Sequence, residues 1–191
     1  MSQVQADLFE ERCLVLPAGF RYQPALIDAV EERRLLKTMQ ALAFKPFEFH
    51  GFTGKRETVS FGWRYDFNGG GLAKTNDMPE FLLPLRAAAA AFSGLAPAQL
   101  QQVLLTRYRP GAAIGWHKDR SVFGEVIGIS LLSPCTFRFR KKTGTKWERA
   151  SIIAEPRSAY LLAGPARTEW QHSIPAVAAL RYSITFRNLK E

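Results

Sequence analysis

The sequence predicts an α+β domain in which helices come first and a β sandwich or barrel follows. The first half contains two segments with apolar residues at helical spacing, and after Gln101 the chain changes to short strand-like runs separated by proline or glycine. Helices followed by a run of strands are typical of α+β architectures. A length of 191 residues, 47% of them apolar, fits one domain with a substantial core.

The composition limits the cellular setting and the partners. A formal charge of +9 and a pI of about 9.9 favour a polyanionic partner such as nucleic acid. No apolar run approaches the length of a membrane-spanning helix, and the N-terminus lacks the pattern of a signal peptide. The distant cysteines Cys13 and Cys135 form no zinc or redox pair, so we expect a reduced, cytoplasmic protein with no membrane partner.

The first hundred residues predict a tail, two helices and an aromatic-rich loop. We expect a flexible tail at residues 1–10 and a single folded domain at 11–191. Pro24 favours a helix start, and apolar residues recur at helical spacing up to Ala43. The predicted elements are a broken strand at 13–22, a helix at 24–43, a loop at 44–67, a glycine-rich break at 68–71 and a helix at 81–92 capped by Gly94.

Six short strands are predicted in the second half, and the last of them is the most informative. The strands are expected at 103–108, 126–132, 136–140, 150–155, 159–162 and 182–187. Side chains alternate between the faces of a strand, so the polar residues of the final stretch share one face. They are Arg181, Ser183, Thr185 and Arg187.

Two histidines and one aspartate predict a metal site. The segment His117-Lys-Asp119 places an imidazole and a carboxylate two residues apart, and His172 is available as a third ligand. Two imidazoles and one carboxylate on one side of a metal leave several coordination positions open, which is the arrangement of non-haem Fe(II) oxygenases. A catalytic metal centre at these three residues is therefore our hypothesis.

The arginines of the last strand support this hypothesis. An oxygenase of this type holds a dicarboxylic co-substrate beside the iron, and a guanidinium grips a carboxylate with two hydrogen bonds. We expect Arg181 to do so from an inward-facing strand. Thr106 and Tyr108 alternate in the same way on an earlier strand, and the Tyr108 hydroxyl is placed to donate to the same carboxylate.

On these motifs the chain resembles the AlkB-type family of Fe(II)- and 2-oxoglutarate-dependent dioxygenases. Four segments carry the resemblance in the family's order: Leu104–Gly111, His117–Asp119, Trp170–Pro175 and Arg181–Arg187. The resemblance implies a double-stranded β-helix, or jelly roll, formed by residues 100–191 with supporting N-terminal helices. It also implies Fe(II) as the metal, with 2-oxoglutarate and O₂ as co-substrates.

The resemblance assigns a role to each matching residue. His117, Asp119 and His172 are expected to ligate Fe(II), and Arg181 with Tyr108 to bind the distal carboxylate of 2-oxoglutarate. Arg187 is expected near the metal-side end of the co-substrate. Thr106 and Ser183 stand where the family often has asparagine, and both can still form hydrogen bonds to it. The implied activity is oxidative removal of N-methyl groups as formaldehyde.

The family is best known for repairing alkylated bases, and such enzymes need aromatic walls around the base. Trp63, Tyr65 and Phe52 are candidates in the N-terminal half, and Trp116 is a candidate beside a metal ligand. Many nucleic-acid demethylases have a further acidic residue after the His-x-Asp motif, whereas this chain continues with Arg120 and Ser121. Base recognition by an acid at that position is therefore not expected.

Two further segments favour nucleic acid as the partner. Six basic residues cluster around a predicted turn and suit phosphate contact: Arg138, Arg140, Lys141, Lys142, Lys146 and Arg149. The tail segment Gln5–Phe9 resembles the short motif by which bacterial DNA-maintenance proteins dock on the sliding clamp. Three alternatives remain open: the same oxidation on a protein or small molecule, a non-catalytic basic nucleic-acid-binding β domain, and a zinc hydrolase.

Overall fold

The structure, a computed structural model, describes residues 15–49 and 51–190 and contains thirteen strands and three α-helices within them. The helices are α1 (Ala29–Gln40), α2 (Leu83–Ser93) and α3 (Gly164–Thr168). The strands are β1 (Phe20–Gln23), β2 (Lys45–Phe49), β3 (Phe52–Phe61), β4 (Trp63–Asp66), β5 (Gly71–Lys74), β6 (Gln102–Tyr108), β7 (Ile114–His117), β8 (Phe123–Leu131), β9 (Cys135–Thr143), β10 (Lys146–Ala154), β11 (Ala159–Leu162), β12 (Gln171–Ile174) and β13 (Arg181–Leu189).

Two antiparallel sheets face each other and form a jelly roll. The larger sheet has the strand order β1-β11-β8-β13-β6-β3-β2, and the smaller one has the order β10-β9-β12-β7. Apolar side chains from both sheets pack into one cluster between them, including Val126 and Tyr160 from the larger sheet and Phe137 and Phe139 from the smaller. The predicted α+β class and its double-stranded β-helix core are confirmed. No helix in the described part of the chain has the length and apolar character to span a membrane.

The helices cover the outer face of the larger sheet. Leu35 and Met39 of α1 are fully buried there, together with Leu85 of α2. Strand β13 presents Tyr182, Ile184 and Phe186 to this helical layer. Its polar alternate residues therefore face the space between the two sheets rather than solvent. Both faces of β13 are therefore covered, as a role for Arg181 and Arg187 inside the fold requires.

Both long helices form, with one corrected start. The predicted start at Pro24 is wrong, because α1 begins at Ala29, where the Asp28 side chain accepts hydrogen bonds from the Val30 and Glu31 N–H groups. The helix predicted at 81–92 is confirmed as a short 3₁₀ turn at Glu80–Leu82 that continues into α2. Gly94 ends α2 in the left-handed conformation, with φ of 84°.

The expected loop at 44–67 is wrong, because this segment forms β2, β3 and β4. Strand β3 pairs along its length with β6, so that Val59 lies opposite Leu105. The six strands predicted in the second half all exist; the strand at 159–162 has the predicted bounds, and the other five have shifted ends. The short strands β5, β7 and β12 were not predicted. Cys13, His50 and the tail segment Gln5–Phe9 lie outside the described residues, and so does the side chain of Phe52.

Candidate active site

A cavity opens between the two sheets, and residues from both line it. The larger sheet contributes Thr106 and Tyr108 from β6 and Thr185 and Arg187 from β13, and the smaller sheet contributes His172 from β12. On one side of the cavity, the Tyr160 ring packs closely over a glycine of β8. A Cβ atom on Gly128 of β8 would lie 2.1 Å from the Tyr160 ring, so only glycine lets that buried ring lie across β8.

The three predicted metal ligands meet at one side of this cavity. His117 ends β7, Asp119 follows two residues later, and His172 lies opposite His117 in the β12–β7 pairing. One ligand atom from each residue lies within 4.8 Å of the others. The His172 Nε2 atom is 3.4 Å from Asp119 Oδ2. His117 Nδ1 is 2.9 Å from the Gly115 carbonyl oxygen, and donation to that oxygen leaves Nε2 for a metal.

The electrostatic state of the three side chains suits metal binding. Burial lowers the pKa of His172 to about 3 and also lowers the pKa of His117, so both imidazoles are neutral near pH 7. Burial alone would raise the pKa of Asp119, but the surrounding positive charges, Arg187 foremost, hold it below its usual range. A carboxylate and two neutral imidazoles are therefore present without any change of protonation.

Arg187 orients the carboxylate of this site. Its Nε and Nη2 atoms lie 3.0 and 2.8 Å from Asp119 Oδ1, and its Nη1 donates to Gln102 Oε1 at 2.9 Å. The Gln102 side chain is almost fully buried. Arg187 thus binds Oδ1 of Asp119 while Gln102 fixes the arginine, and this orients Oδ2 toward the histidines.

Arg181 provides a carboxylate-binding group deep in the fold. It is 0% exposed, its Nη2 donates to Ser130 Oγ at 3.1 Å, and its guanidinium lies over the Tyr108 ring. Its Nε and Nη1 atoms are buried and have no hydrogen-bond partner among the residues that the structure describes. A buried cation with two unsatisfied donors fits a ligand carboxylate, since leaving them unpaired is costly. The residues present therefore fit 2-oxoglutarate.

A polar row crosses the sheet beside Arg181. Ser183 lies opposite Thr106 in the β13–β6 pairing and opposite Ser130 in the β13–β8 pairing. Cross-strand partners share a face, so these hydroxyls line one side of the sheet next to Arg181. Thr106 and Ser183 are thus on the inward face of the larger sheet, beside Arg181.

Arg167 was not foreseen and holds the segment that follows the metal ligands. Its side chain is buried and donates to four backbone carbonyls, those of Asp119, Arg120, Phe123 and Gly124, at 3.2, 2.6, 2.7 and 2.8 Å. One guanidinium therefore ties α3 to the loop that contains Asp119 and to the start of β8. Nothing in the local sequence around Arg167 signals this role.

The sequence does not predict that Arg56 lines the cavity, because a loop at 44–67 would set no direction for its side chain. Strand β3 places Arg56 opposite Tyr108, and its side chain lines the metal cavity. The guanidinium lies 3.7 Å above the centre of the Phe47 ring. The signal was present as alternation: Arg56, Thr58 and Ser60 share the face that Tyr108 and Thr106 occupy on β6.

Aromatic side chains line a groove beside Arg120, the residue that follows Asp119 in the sequence. Tyr65 and Phe67 line an open groove of about 610 Å³ together with Arg120, whose guanidinium lies 5.0 Å from the centre of each ring. Trp63 is half-buried on the same strand as Tyr65. The expectation that Trp116 shapes the pocket is wrong. It contacts Arg138 and Arg140, which alternate with the inward-facing Phe137 and Phe139, and so lies on the outer face of the smaller sheet.

The fold and the site together define a jelly-roll protein with a two-histidine, one-carboxylate centre beside a buried arginine. The profile described as the 2OG-Fe(II) oxygenase superfamily matches residues 23–187, so the chain belongs to that superfamily. Fe(II), 2-oxoglutarate and O₂ are the metal and co-substrates of this family, as the sequence analysis expected. The resemblance to AlkB-type enzymes is confirmed by the relatives described next.

The relatives include proteins of the AlkB type. The chain is 26% identical over 181 residues to the Alkylated DNA repair protein ALKBH8 homolog of Arabidopsis thaliana, which covers 82% of this chain and 51% of that protein. It is 33% identical over 101 residues to an uncharacterized protein of Acanthamoeba polyphaga mimivirus, covering 46% of this chain and 48% of that protein. The chain thus spans about half the length of the curated relatives it matches.

Solved structures share the fold. OsALKBH1 superposes with a TM-score of 0.68 at 15% identity, covering 91% of this chain and 98% of that one. A prolyl-4-hydroxylase from Pseudomonas putida superposes with a TM-score of 0.62 at 14% identity, covering 90% and 93%. These similarities support the jelly-roll assignment.

Proposed function

We propose that this protein is an Fe(II)- and 2-oxoglutarate-dependent dioxygenase that demethylates N-alkylated bases in nucleic acid. The observation that carries the proposal is the meeting of His117, Asp119 and His172 in one cavity, with the buried Arg181 beside its Tyr108, since the Nε and Nη1 donors of Arg181 lack a partner within the described part of the chain. The domain at residues 11–191 would form this enzyme unit, with residues 100–191 as the catalytic jelly roll and an N-terminal half that includes the substrate lid.

The roles follow from position. His117, Asp119 and His172 would hold the iron, and Arg187 would keep the aspartate ionised and directed. Arg181 would bind the distal carboxylate of 2-oxoglutarate through charge-assisted hydrogen bonds. Tyr108 lies beside the Arg181 guanidinium and would donate to the same carboxylate, while Thr106 and Ser183 would add hydrogen bonds along the chain of the co-substrate.

The iron, 2-oxoglutarate and O₂ supply an oxidation in which 2-oxoglutarate becomes succinate and CO₂ and the methyl carbon leaves as formaldehyde, restoring N–H on the base. The chain itself positions the groups and excludes water. The cavity lies between two packed sheets, so charged groups inside it interact more strongly than they would in water. Tyr65 and Phe67, which line the neighbouring groove, would close one side of the approach.

A nucleic-acid substrate is supported by three observations. The net charge is +9, and the exposed end of the β9–β10 hairpin presents Lys142 and Lys146. Aromatic rings suit stacking of an extruded or single-stranded base. Tyr65 lines the groove, and Trp63 lies on the same strand. Trp116 would contact nucleic acid on the outer face of the smaller sheet, together with Arg138 and Arg140. The name of the Arabidopsis relative also refers to repair of alkylated DNA.

The test is formaldehyde release from methylated oligonucleotides after anaerobic loading with Fe(II) and 2-oxoglutarate. We expect one formaldehyde per methyl group removed and none with His172→Ala. Arg33→Met, at an exposed position on α1, serves as the control and should match the wild type. Binding of both cofactors without turnover of any oligonucleotide would point instead to a protein or small-molecule substrate. Absence of iron binding would leave a non-catalytic nucleic-acid-binding domain.

The tail suggests a second contact. Gln5–Phe9 is proposed to dock on a bacterial sliding clamp in the cytoplasm, with Leu8 and Phe9 entering an apolar pocket. Deletion of residues 1–9 should abolish clamp affinity while demethylation of oligonucleotides stays unchanged. Affinity that survives the deletion, or that is absent from the full chain, would contradict this part of the proposal.

A further inference from the structure

Arg56 brings an additional positive charge to the metal cavity. It lines the same cavity as Asp119, and its electrostatic environment includes Arg187, Asp119 and Tyr108. Burial lowers the pKa of its guanidinium, yet an arginine stays protonated at neutral pH. The side chain rests on the Phe47 ring, which fixes its plane at the cavity edge.

Within residues 15–49 and 51–190, Arg56 has no hydrogen bond or ion pair to a protein group, whereas the neighbouring arginines have fixed partners. Arg187 is held by Asp119 and Gln102, and Arg181 faces the co-substrate region beside Ser130. Among the charged side chains that line the metal cavity in this part of the chain, Asp119 is the one carboxylate, and Arg187 already pairs with it.

Asp66, the acidic residue of the groove lined by Tyr65, Phe67 and Arg120, does not neutralise Arg56. Asp66 turns toward its own hairpin, where its Oδ1 accepts the Asn68 N–H at 2.9 Å and its Oδ2 lies close to Gly70. Arg120 faces the same groove between Tyr65 and Phe67. Arg56 thus lines the metal cavity and Arg120 lines the groove, in which the Asp66 carboxylate is directed into its own turn.

Binding of Fe(II) and 2-oxoglutarate would leave the positive charge of Arg56 unpaired. Fe(II) and the 2-oxoglutarate dianion cancel each other in charge, so the guanidinium of Arg56 would still lack an anion. Like charges in a partly desolvated site repel strongly, and an unpaired guanidinium attracts an oxygen acceptor. A base that carries a positive charge is disfavoured there, and a base with a carbonyl oxygen or an anionic group is favoured.

We propose that this site accepts neutral or anionic alkylated bases and discriminates against cationic ones, with Arg56 as the specificity-determining residue. The proposal rests on the proposed function and narrows its substrate class. Methylation at N3 makes cytosine a cation with an exocyclic amino donor, whereas N3-methyluracil stays neutral and presents a carbonyl oxygen at the same position. The Arg56 guanidinium can donate to that oxygen and is repelled by the cation.

The test compares two oligonucleotides that differ only in this base, N3-methyluracil or N3-methylcytosine. We expect wild-type kcat/KM to favour N3-methyluracil by about 10- to 100-fold, the range for a hydrogen bond to a charged group. Arg56→Gln should remove most of this preference, and Arg56→Lys should keep part of it. Arg33→Gln on α1 is the matched control. Equilibrium binding of both oligonucleotides without iron and O₂ should show the same order.

The outcomes separate this inference from the proposed function. Preferred turnover of N3-methylcytosine by the wild type would overturn the inference and leave demethylation intact. A preference unchanged in Arg56→Gln would overturn the role of Arg56, and so would loss of 2-oxoglutarate affinity in that variant with an unchanged base preference. Turnover of neither oligonucleotide would overturn the proposed function and the inference together. If Arg56→Gln does not fold, the wild-type comparison of the two bases still decides the charge preference.

Discussion

Replacement of Arg167 by methionine should destabilise the protein and loosen its metal site. The guanidinium donates to four backbone carbonyls between Asp119 and Gly124, and it is 7% exposed. Methionine keeps the apolar stem and removes all four donors. The carbonyls would then be left without their donor in a largely buried region, which is where loss of a partner costs most.

The magnitude follows from the contacts. A hydrogen bond to a charged group contributes about 1.5–3 kcal/mol, but four bonds to one guanidinium are not additive. Removing the buried charge also recovers part of its desolvation cost. We therefore expect the free energy of unfolding to fall by about 3–5 kcal/mol for Arg167→Met, and the melting temperature to fall by about 10 °C. Arg167→Lys should lose roughly half as much, because a single ammonium reaches fewer of the four carbonyls.

The assay is urea unfolding of the metal-free protein, followed by Fe(II) titration of the folded variants. Arg33→Met is the matched control, since Arg33 is exposed on α1, and we expect a change within about 0.5 kcal/mol. Because Arg167 fixes the Asp119 carbonyl, Fe(II) affinity should fall in Arg167→Met and less in Arg167→Lys. A loss of stability below about 1 kcal/mol with unchanged Fe(II) affinity would refute the reasoning.

Three further predictions follow from individual contacts. Gln102→Ala removes the acceptor that holds Arg187 behind Asp119, and Fe(II) affinity measured by competition with a chelator should fall about 10-fold; an unchanged affinity would contradict the orienting role. The hydrogen bonds of Arg107 and, to a lesser extent, Arg109 lower the pKa of Glu57 to about 2, so its ionised form stabilises the fold above pH 4.5 and this contribution is lost as the pH falls toward 2. Glu57→Gln should accordingly cost about 1 kcal/mol at pH 7 and progressively less below pH 4.5 in pH-dependent unfolding, and a cost independent of pH would argue against the ion pair. Replacing both Lys142 and Lys146 by glutamine should reduce the slope of log affinity against log salt for single-stranded oligonucleotides by about 1, whereas the same change at Arg33 and Lys37 should not; equal slopes would remove the hairpin from the interface.

Most of the candidate site could be predicted from the sequence because it depends on short-range patterns. Alternation along β13 needs only that the segment be a strand, and it correctly separated Arg181 and Arg187 from the apolar face. The His117-Lys-Asp119 triplet likewise ends a strand, so its two ligands stay together whatever the rest of the fold does. His172 lies far away in the sequence, and its place beside His117 depends on the pairing of β12 with β7, two strands that the sequence did not predict.

The remaining residues depend on long-range register that a single sequence does not display. Arg56 enters the cavity because β3 pairs with β6, which lies about fifty residues further along the chain. Without that pairing, the aromatic-rich composition of the segment predicts a loop. Alternation in Arg56, Thr58 and Ser60 would have supported a strand, as it did for β13. Arg167 acts through backbone carbonyls, which have no sequence signature at all. Trp116 was misplaced because its neighbour His117 faces inward, and adjacent residues on a strand face opposite sides.

The central claim is tested most directly by anaerobic binding of 2-oxoglutarate to the protein with and without Fe(II). One Fe(II) per chain should bind in the wild type and none in His172→Ala. Iron should strengthen 2-oxoglutarate binding, and Arg181→Met should weaken that binding at least 10-fold while one Fe(II) still binds. Iron-independent binding of 2-oxoglutarate, or affinity that is unchanged in Arg181→Met, would contradict the convergence of these side chains on one co-substrate.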